Sequence, residues 1–256
     1  MAECFLEEDE TVEADGAVTK AGAIVESIQN PEQHTALVLR YKSTYARVLD
    51  ANRKFLQAAS RYHDLSQSAT DMIEADDLLN LLGRAGTCAI LASSGPQRHR
   101  VLGHIFNDGR LFQLDSIPTF ETHSTILKKM YLNQVIHKDE LTKFESLLAD
   151  HQKAVMGDGL TIVERSVLEH NMIAVSKLYK SINFTSLGKI LGVDQRKAEK
   201  VAAMMIIESS LLGSIDQVVG VLNFDVEGTE QSNWDKAIIG FCIELNHVAE
   251  AVKAVK

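Results

Sequence analysis

Histidines and their acidic neighbours are the side chains of this sequence whose types suggest catalysis or metal binding. His99 and His104 are five residues apart. A helix would therefore not place them on the same face, as it does residues i and i+4. Glu169, His170 and Asn171 are consecutive and invite a general-base interpretation. Consecutive helical residues point in different directions, and we therefore predict a structural or surface role for His170.

The sequence also lacks the motifs of common hydrolases and nucleotide-binding proteins. It contains no His-Glu-x-x-His, no His-x-His followed by an Asp that would suit a metal-dependent isopeptidase, no Gly-x-x-x-x-Gly-Lys and no Gly-x-Ser-x-Gly. The sequence has three cysteines, which are widely spaced: Cys4, Cys88 and Cys242. An odd number at such spacing favours neither a disulfide framework nor a metal site. We predict no catalytic residue, no metal, no cofactor and a reducing, intracellular compartment.

Composition limits the function classes further. The 256 residues are 45% hydrophobic and 24% charged, which is typical of a globular chain, and the longest apolar runs are too short to cross a membrane. The formal charge of −9 argues against a chain that mainly neutralises nucleic-acid phosphates. Acidic residues are concentrated in residues 1–30, which we predict to be mostly disordered with a short helix around Ile24 to Ile28.

Residues 31–158 show apolar positions spaced three to four residues apart, interrupted near the prolines. The predicted helices lie near residues 37–48, 55–62, 78–91, 101–106, 126–135 and 141–148. Asn52 is the expected turn residue between the first two. Successive amphipathic helices with short loops bury their apolar faces by stacking, so we predict a solenoid-like helical array.

Residues 159–228 show a different pattern, that of a winged helix. A long helix over 162–179 precedes a short helix that Thr185 caps and Gly192 ends, and Asp194 caps a third helix from Gln195 to about Ser209. Two β-prone segments follow, 211–216 and 218–224. Three helices followed by a hairpin form a winged helix.

The charge of the winged helix disfavours DNA binding. Residues 181–228 hold four cations and six anions, a net charge of −2. Three of the cations, Arg196, Lys197 and Lys200, lie near the start of the third helix, but the wing carries Asp216 and no Lys or Arg. We instead expect the wing to offer an exposed strand edge to another chain, with side-chain contacts from Ile215, Val219 and Val221.

Residues 229–256 form the predicted C-terminal helix. Its apolar residues alternate in steps of four and three, which gives a narrow stripe of the coiled-coil type: Trp234, Ile238, Phe241, Leu245, Val248 and Val252. A helix that packs on its own domain usually has a wider apolar face. We therefore favour packing on a partner helix or bundle, the alternative being docking onto the winged helix.

A helical array followed by a winged helix resembles the PCI-domain family. The similarity is carried, in order along the chain, by Tyr45-Ala46-Arg47-Val48-Leu49-Asp50, Arg53-Lys54-Phe55, Ile90-Leu91-Ala92-Ser93, Lys129-Met130-Tyr131-Leu132, His151-Gln152-Lys153-Ala154, Glu169-His170-Asn171, Ser176-Lys177-Leu178-Tyr179, Lys197-Ala198-Glu199-Lys200, Ile215-Asp216-Gln217 and Trp234-Asp235-Lys236. Members of the family build the proteasome lid, the COP-nine signalosome and translation initiation factor three, and this sequence is most similar to the signalosome members.

The resemblance implies a non-catalytic scaffold in the assembly that removes Nedd8 from cullins and regulates cullin-RING ubiquitin ligases. It also implies that catalysis belongs to an MPN-type subunit, that the partners are other PCI and MPN subunits, and that the cullin-RING ligase is the substrate of the assembly. A cytoplasmic and nuclear location is expected, without a membrane or nucleic-acid partner. A subunit of the proteasome lid and a winged-helix DNA-binding regulator are the alternatives.

Overall fold

The computed structural model describes residues 1–8, 10–28, 34–68, 73–157, 159–224, 238, 241 and 242. Contacts divide the chain into two compact units, Met1–Val175 and Ser176–Lys256. The first unit contains α1 (Ala2–Glu7), α2 (Thr11–Glu26), α3 (Thr35–Ala51), α4 (Phe55–Ser66), α5 (Ala75–Leu91), α6 (Pro96–Phe106), α7 (His123–Tyr131), α8 (Lys138–Ser146) and nearly all of α9 (Ile162–Ser176). Short 3-10 helices span Leu111–Ser116, Pro118–Phe120 and Asp150–Lys153.

The helical periodicity of the sequence is confirmed by these elements. Each helix predicted between residues 37 and 148 is present, and Asn52 follows the last residue of α3 as the expected turn residue. The largest buried cluster of the first unit joins α3 to α9, and includes Phe55, Tyr62 and Phe144. The mainly α fold class is thus confirmed, whereas the predicted domain boundaries remain predictions.

The expected disorder of the first thirty residues is wrong for α1 and α2. Ala14, Val18 and Gly22 recur every four residues of α2 and are buried, while most of the acidic residues of the segment face solvent. Ala14 and Val18 pack against Val48 of α3. The segment is ordered because small side chains on one face allow close packing, so few large apolar residues are needed.

The second unit contains β1 (Ser181–Asn183), α10 (Phe184–Leu191), α11 (Gln195–Ile207), β2 (Gly213–Asp216) and β3 (Val221–Phe224). All neighbouring strands are antiparallel, in the order β1, β3, β2. Leu222 of the middle strand is fully buried and pairs with Ile182 on one side and Ile215 on the other. The helices α10 and α11 and the small sheet are the part of the predicted winged helix that lies in this unit. β1 is a strand that the sequence did not predict.

A buried guanidinium closes the C-terminal end of α5. Arg98 is 4% exposed, and its Nε and Nη2 each donate to a carbonyl of the last turn of α5, those of Ala89 and Ile90, at 3.1 Å. The last four carbonyls of a helix have no partner within that helix, and a cation favours the negative end of the helix dipole. Burial lowers the pKa of Arg98 to about 10, with Glu169 opposing that effect, so the side chain stays charged.

His123 is a second buried polar side chain that contacts α5. Its Nε2 lies 2.8 Å from Thr87 Oγ1, and its ring contacts Phe120 and Phe144. The Thr87 hydroxyl also lies 3.1 Å from the Gly83 carbonyl, so it links the His123 ring to the backbone of α5. Burial lowers the pKa of His123 to about 4, which keeps the imidazole neutral.

Replacing Arg98 by Met should lower the free energy of unfolding by about 3 kcal/mol, because buried carbonyls of α5 lose their donors. Urea denaturation followed by circular dichroism measures the change. Arg100→Met is the control, since Arg100 is on the same helix but exposed, and it should change stability by less than about 0.5 kcal/mol. Equal stability of Arg98→Met and Arg100→Met would contradict the capping role.

His123 should make the protein less stable in acid. Because the folded-state pKa lies below that of an unfolded histidine, the unfolded state binds more protons as the pH falls from about 6.5 to about 4, and stability is lost across that window. From about pH 7 to about pH 4.5, the loss measured in urea should be about 2 kcal/mol smaller for His123→Gln than for the native chain. His99→Gln, at an exposed position, should leave the loss unchanged.

Candidate protein-interaction surfaces

The helix-turn-helix of the second unit is fixed by its caps. Asn183 Oδ1 accepts from the Ser186 N–H at 2.7 Å and caps α10, so the prediction that Thr185 caps this helix is wrong. Thr185 instead lies inside α10, and its hydroxyl donates to Gln195 at 3.2 Å. The sequence does not single out the asparagine, because β1, which it ends, is too short to show an alternating pattern.

The turn between α10 and α11 agrees with the sequence. Gly192 follows α10 with φ at +69°, a left-handed conformation that favours glycine, and Asp194 accepts from the Arg196 N–H at 3.3 Å to cap α11. Gly188 is required for a different reason. A Cβ at that position would lie 2.8 Å from the Val193 carbonyl oxygen, so the backbone of the turn passes directly over α10.

The wing residues predicted to contact a partner lie in three different places. Ile215 is on β2, at an edge of the sheet. Val219 is 69% exposed in the turn between β2 and β3, outside either strand. Val221 is on β3, which pairs on both sides, so its assignment to an exposed strand edge is wrong. Among the described strands, the edges of this sheet are β1 and β2.

The outer edge of β2 presents backbone groups that can pair with another strand. The Phe224 N–H donates to the Lys180 carbonyl, on the β1 side of β3. Backbone groups of an antiparallel strand alternate in direction, so those of Asn223 face β2 and its partner Ser214. The N–H and C=O groups of Gly213 and Ile215 therefore face away from β3, toward an edge that no other described strand covers, and suit strand addition.

The surface near the start of α11 is not a strong basic patch. Arg196 and Lys200 are exposed, but Glu199 lies between them and accepts from Gln217 of the wing turn at 3.1 Å. Asp216 accepts from the Val218 and Val219 N–H groups at 3.0 and 3.1 Å, so the turn itself is closed by an anionic side chain. Phosphate contacts from the wing would need Lys or Arg where Asp216 and Gln217 lie.

Two residues of the predicted C-terminal stripe are described. Ile238 and Phe241 are helical and are 50% and 67% exposed. Trp234, Leu245, Val248 and Val252 lie outside the described residues. Large apolar side chains that face solvent in this way are typical of a surface that a partner covers.

Structural hydrogen bonds occupy the triplet that suggested general-base chemistry. Glu169 accepts from the Ser94 N–H at 3.2 Å, and His170 Nε2 lies 2.9 Å from the Gln134 carbonyl. Asn171 contacts both backbone groups of Ile136, each at 2.9 Å. The structural role predicted for His170 is therefore confirmed. Among the residues that the structure describes, no cluster of His, Cys, Asp and Glu side chains could hold a metal ion, and no helix could span a membrane.

Comparison with known proteins identifies the architecture. The family model of the PCI domain matches residues 120–226, which include α7 to α11 and the sheet. The chain contains a PCI domain. The resemblance to the PCI family that the sequence indicated is thereby confirmed, and the helical array followed by a winged helix is the arrangement expected of it.

The PCI-domain chain is also similar to signalosome proteins over nearly all of its length. The COP9 signalosome complex subunit 4 of Arabidopsis thaliana is 40% identical over 257 residues, which cover 98% of this chain and 62% of the relative. The proteins of the same name from Dictyostelium discoideum and Drosophila melanogaster are each 38% identical, covering 98% and 100% of this chain and 61% and 60% of theirs. The chain thus spans about three fifths of the length of these curated relatives.

Replacing Gly188 by Ala should destabilise the helix-turn-helix by about 2 kcal/mol, since the new methyl group overlaps the turn backbone. Hydrogen-exchange mass spectrometry of α10 and α11 measures the local effect. Gly16→Ala is the matched control: Gly16 lies within α2 with no atom near an added Cβ, and the change should stabilise α2 by up to about 1 kcal/mol. Unchanged exchange in Gly188→Ala would show that the turn has room to move.

Proposed function

We propose that this chain is a non-catalytic scaffold subunit of a signalosome-type assembly. The observation that carries the proposal is the identity of 38–40% to subunit 4 of the COP9 signalosome over nearly the whole chain. The PCI domain at residues 120–226 supports the scaffold role. In this proposal the chain works in cytoplasm and nucleus, within the assembly that removes Nedd8 from cullins and regulates cullin-RING ligases. Its partners are other PCI and MPN subunits, and an MPN-type subunit carries the active site.

The hydrogen bonds of Glu169, His170 and Asn171 support a scaffold role. The His, Glu and Asn side chains that suggested chemistry instead bind backbone groups of neighbouring segments at about 3 Å. Such bonds hold helices and loops in fixed positions. A subunit that positions other proteins needs rigid surfaces, and these interactions provide them.

Two surfaces of the chain would make the contacts. The outer edge of β2, with the backbone groups of Gly213 and Ile215, suits pairing with a strand of another winged helix. The narrow C-terminal stripe, which includes the exposed Ile238 and Phe241, suits a helical bundle. Strand pairing supplies directional hydrogen bonds and the bundle supplies apolar burial, so the two contacts complement each other.

The alternatives have less support. A subunit of the proteasome lid would have the same architecture, but the curated relatives described above are signalosome proteins. A DNA-binding regulator would need a basic footprint, whereas residues 181–228 have a net charge of −2 and an acidic residue closes the wing turn.

Affinity purification of the tagged chain from its source cells, followed by mass spectrometry, tests the assembly. Recovery of signalosome PCI and MPN subunits is expected. Proteasome base subunits in the eluate would favour the lid, and a preparation without PCI or MPN subunits would refute the proposal.

The same purification tests both contact surfaces with variants. Phe241→Asp with Leu245→Asp should remove partner subunits from the eluate while leaving helical content and unfolding of the first unit unchanged. Ile215→Pro removes an outward-facing N–H and should weaken recovery of the winged-helix neighbour. Its matched control is Ile215→Val, which keeps the outward-facing N–H and should retain the neighbour. Loss of folding in the double Asp variant would instead indicate that the C-terminal helix docks onto its own chain.

A further inference from the structure

The two N-terminal helices pack on α3 through an apolar cluster of their own. The buried residues of this cluster are Ala14 and Val18 of α2 and Val48 of α3. None of them belongs to the larger buried cluster that joins α3 to α9. Ala and Val bury less apolar surface than Leu or Phe, so α1 and α2 are held less firmly than the helices of the larger cluster. We call α1 and α2 the N-terminal cover.

Two ion pairs help to hold the N-terminal cover in place. The Glu3 carboxylate accepts from Arg40 Nε at 3.1 Å and also contacts Nη2, which lowers the pKa of this carboxyl to about 2. Asp15 Oδ2 lies 3.6 Å from Lys54 Nζ. Each of the four charged side chains is at least 31% exposed. Salt therefore screens both pairs and weakens this attachment.

The face of α3 under the cover carries side chains that suit a protein interface. Tyr41 and Tyr45 pack against the apolar cluster, with their ring centroids 6.0 Å apart. The Arg61 guanidinium lies over the Tyr45 ring, 5.3 Å from its centroid. Tyrosine and arginine are enriched at protein interfaces and often dominate their binding energy. Release of the cover exposes these rings together with Val48 and Arg40.

The cover itself shows which kind of helix this face accepts. Ala14, Val18 and Gly22 recur every four residues of α2 and are buried. A Cβ at Gly22 would lie 2.6 Å from the Tyr41 hydroxyl oxygen, so the close approach of the two helices requires a small residue here. Carboxylates of the cover meet the two cations described above. A matching helix is therefore acidic and has small residues at every fourth position.

We propose that the N-terminal cover is releasable and that the uncovered face of α3 binds an acidic helix of another protein. That helix has Ala, Gly or Val at every fourth position and carboxylates that pair with Arg40 and Lys54. The cover competes with it for the same face, which makes the cover autoinhibitory. This site is separate from the strand edge of β2 and from the C-terminal stripe, and it does not depend on the assembly proposed above.

Hydrogen-exchange mass spectrometry of the full chain, at about 0.02 and about 0.5 M NaCl, tests the release. Exchange in α2 should be about fivefold faster at the higher salt, while exchange in α5 changes less than about twofold. Glu3→Gln should accelerate exchange in α2 at the lower salt, because it removes the pair with Arg40. Glu7→Gln is the matched control, since Glu7 is exposed on the same helix and forms no ion pair with the described residues. Salt-independent exchange of α2, or equal effects of the two substitutions, would overturn the proposal.

Charge reversal tests the binding face. The probe is a fluorescein-labelled peptide of residues 1–28, and fluorescence anisotropy of the full chain should show saturable binding. The native chain should bind this peptide about tenfold more tightly than a peptide with Glu3→Arg, whereas the Arg40→Glu chain should show the reverse preference. The tightest pair should be the Arg40→Glu chain with the Glu3→Arg peptide, because the cover of that chain is then repelled.

Arg100→Glu is the control for the charge reversal. It makes the same charge change on an exposed part of α6 and should keep the native preference. Binding of neither peptide, or a preference that Arg40→Glu leaves unchanged, would contradict the proposal. Light scattering after size exclusion tests whether a second copy is the occupant instead. A dimer of the native chain that the peptide dissociates would assign the uncovered face to the cover of a second copy, against the proposal.

Discussion

The buried guanidinium of Arg98 joins three segments that are far apart in the sequence. Arg98 belongs to the first turn of α6. Its guanidinium donates to the last carbonyls of α5 and lies near Glu169 of α9. Ser166 of α9 donates to the Ile90 carbonyl on the same helix end. Because a charged group inside a protein must keep all of its partners, these helices can adopt few other arrangements. The position of α9, the helix that precedes β1 in the chain, depends on these contacts.

The same logic explains why the triplet Glu169, His170 and Asn171 suggests chemistry in the sequence and serves packing in the structure. Isolated loops such as residues 132–137 cannot satisfy their own backbone groups, and side chains of α9 do so instead. Side-chain amides and imidazoles suit that task because they carry both donors and acceptors. Three consecutive polar residues on a buried helix therefore indicate tertiary packing as readily as catalysis. The hydrogen-bond partners of each atom distinguish the two.

Local patterns predicted most of the helices, because apolar spacing is a property of adjacent turns. Features that depend on distant residues were missed. The order of α1 and α2 comes from Ala14 and Val18 packing on Val48, which an acidic composition conceals. The three residues of β1 are too few for an alternating pattern, and without β1 the middle strand is mistaken for an edge, which misplaced Val221. The buried contact between His123 and Thr87 leaves no trace in the sequence at all.

The strand order also constrains how the second unit forms during synthesis. The middle strand, β3, comes after β1 and β2 in the chain, so neither of those strands can pair until residues 221–224 have left the ribosome. About forty residues of nascent chain must wait between the emergence of β1 and that of its partner, a separation that slows folding. During that interval, the unpaired edges of β1 and β2 are open to pairing with another chain.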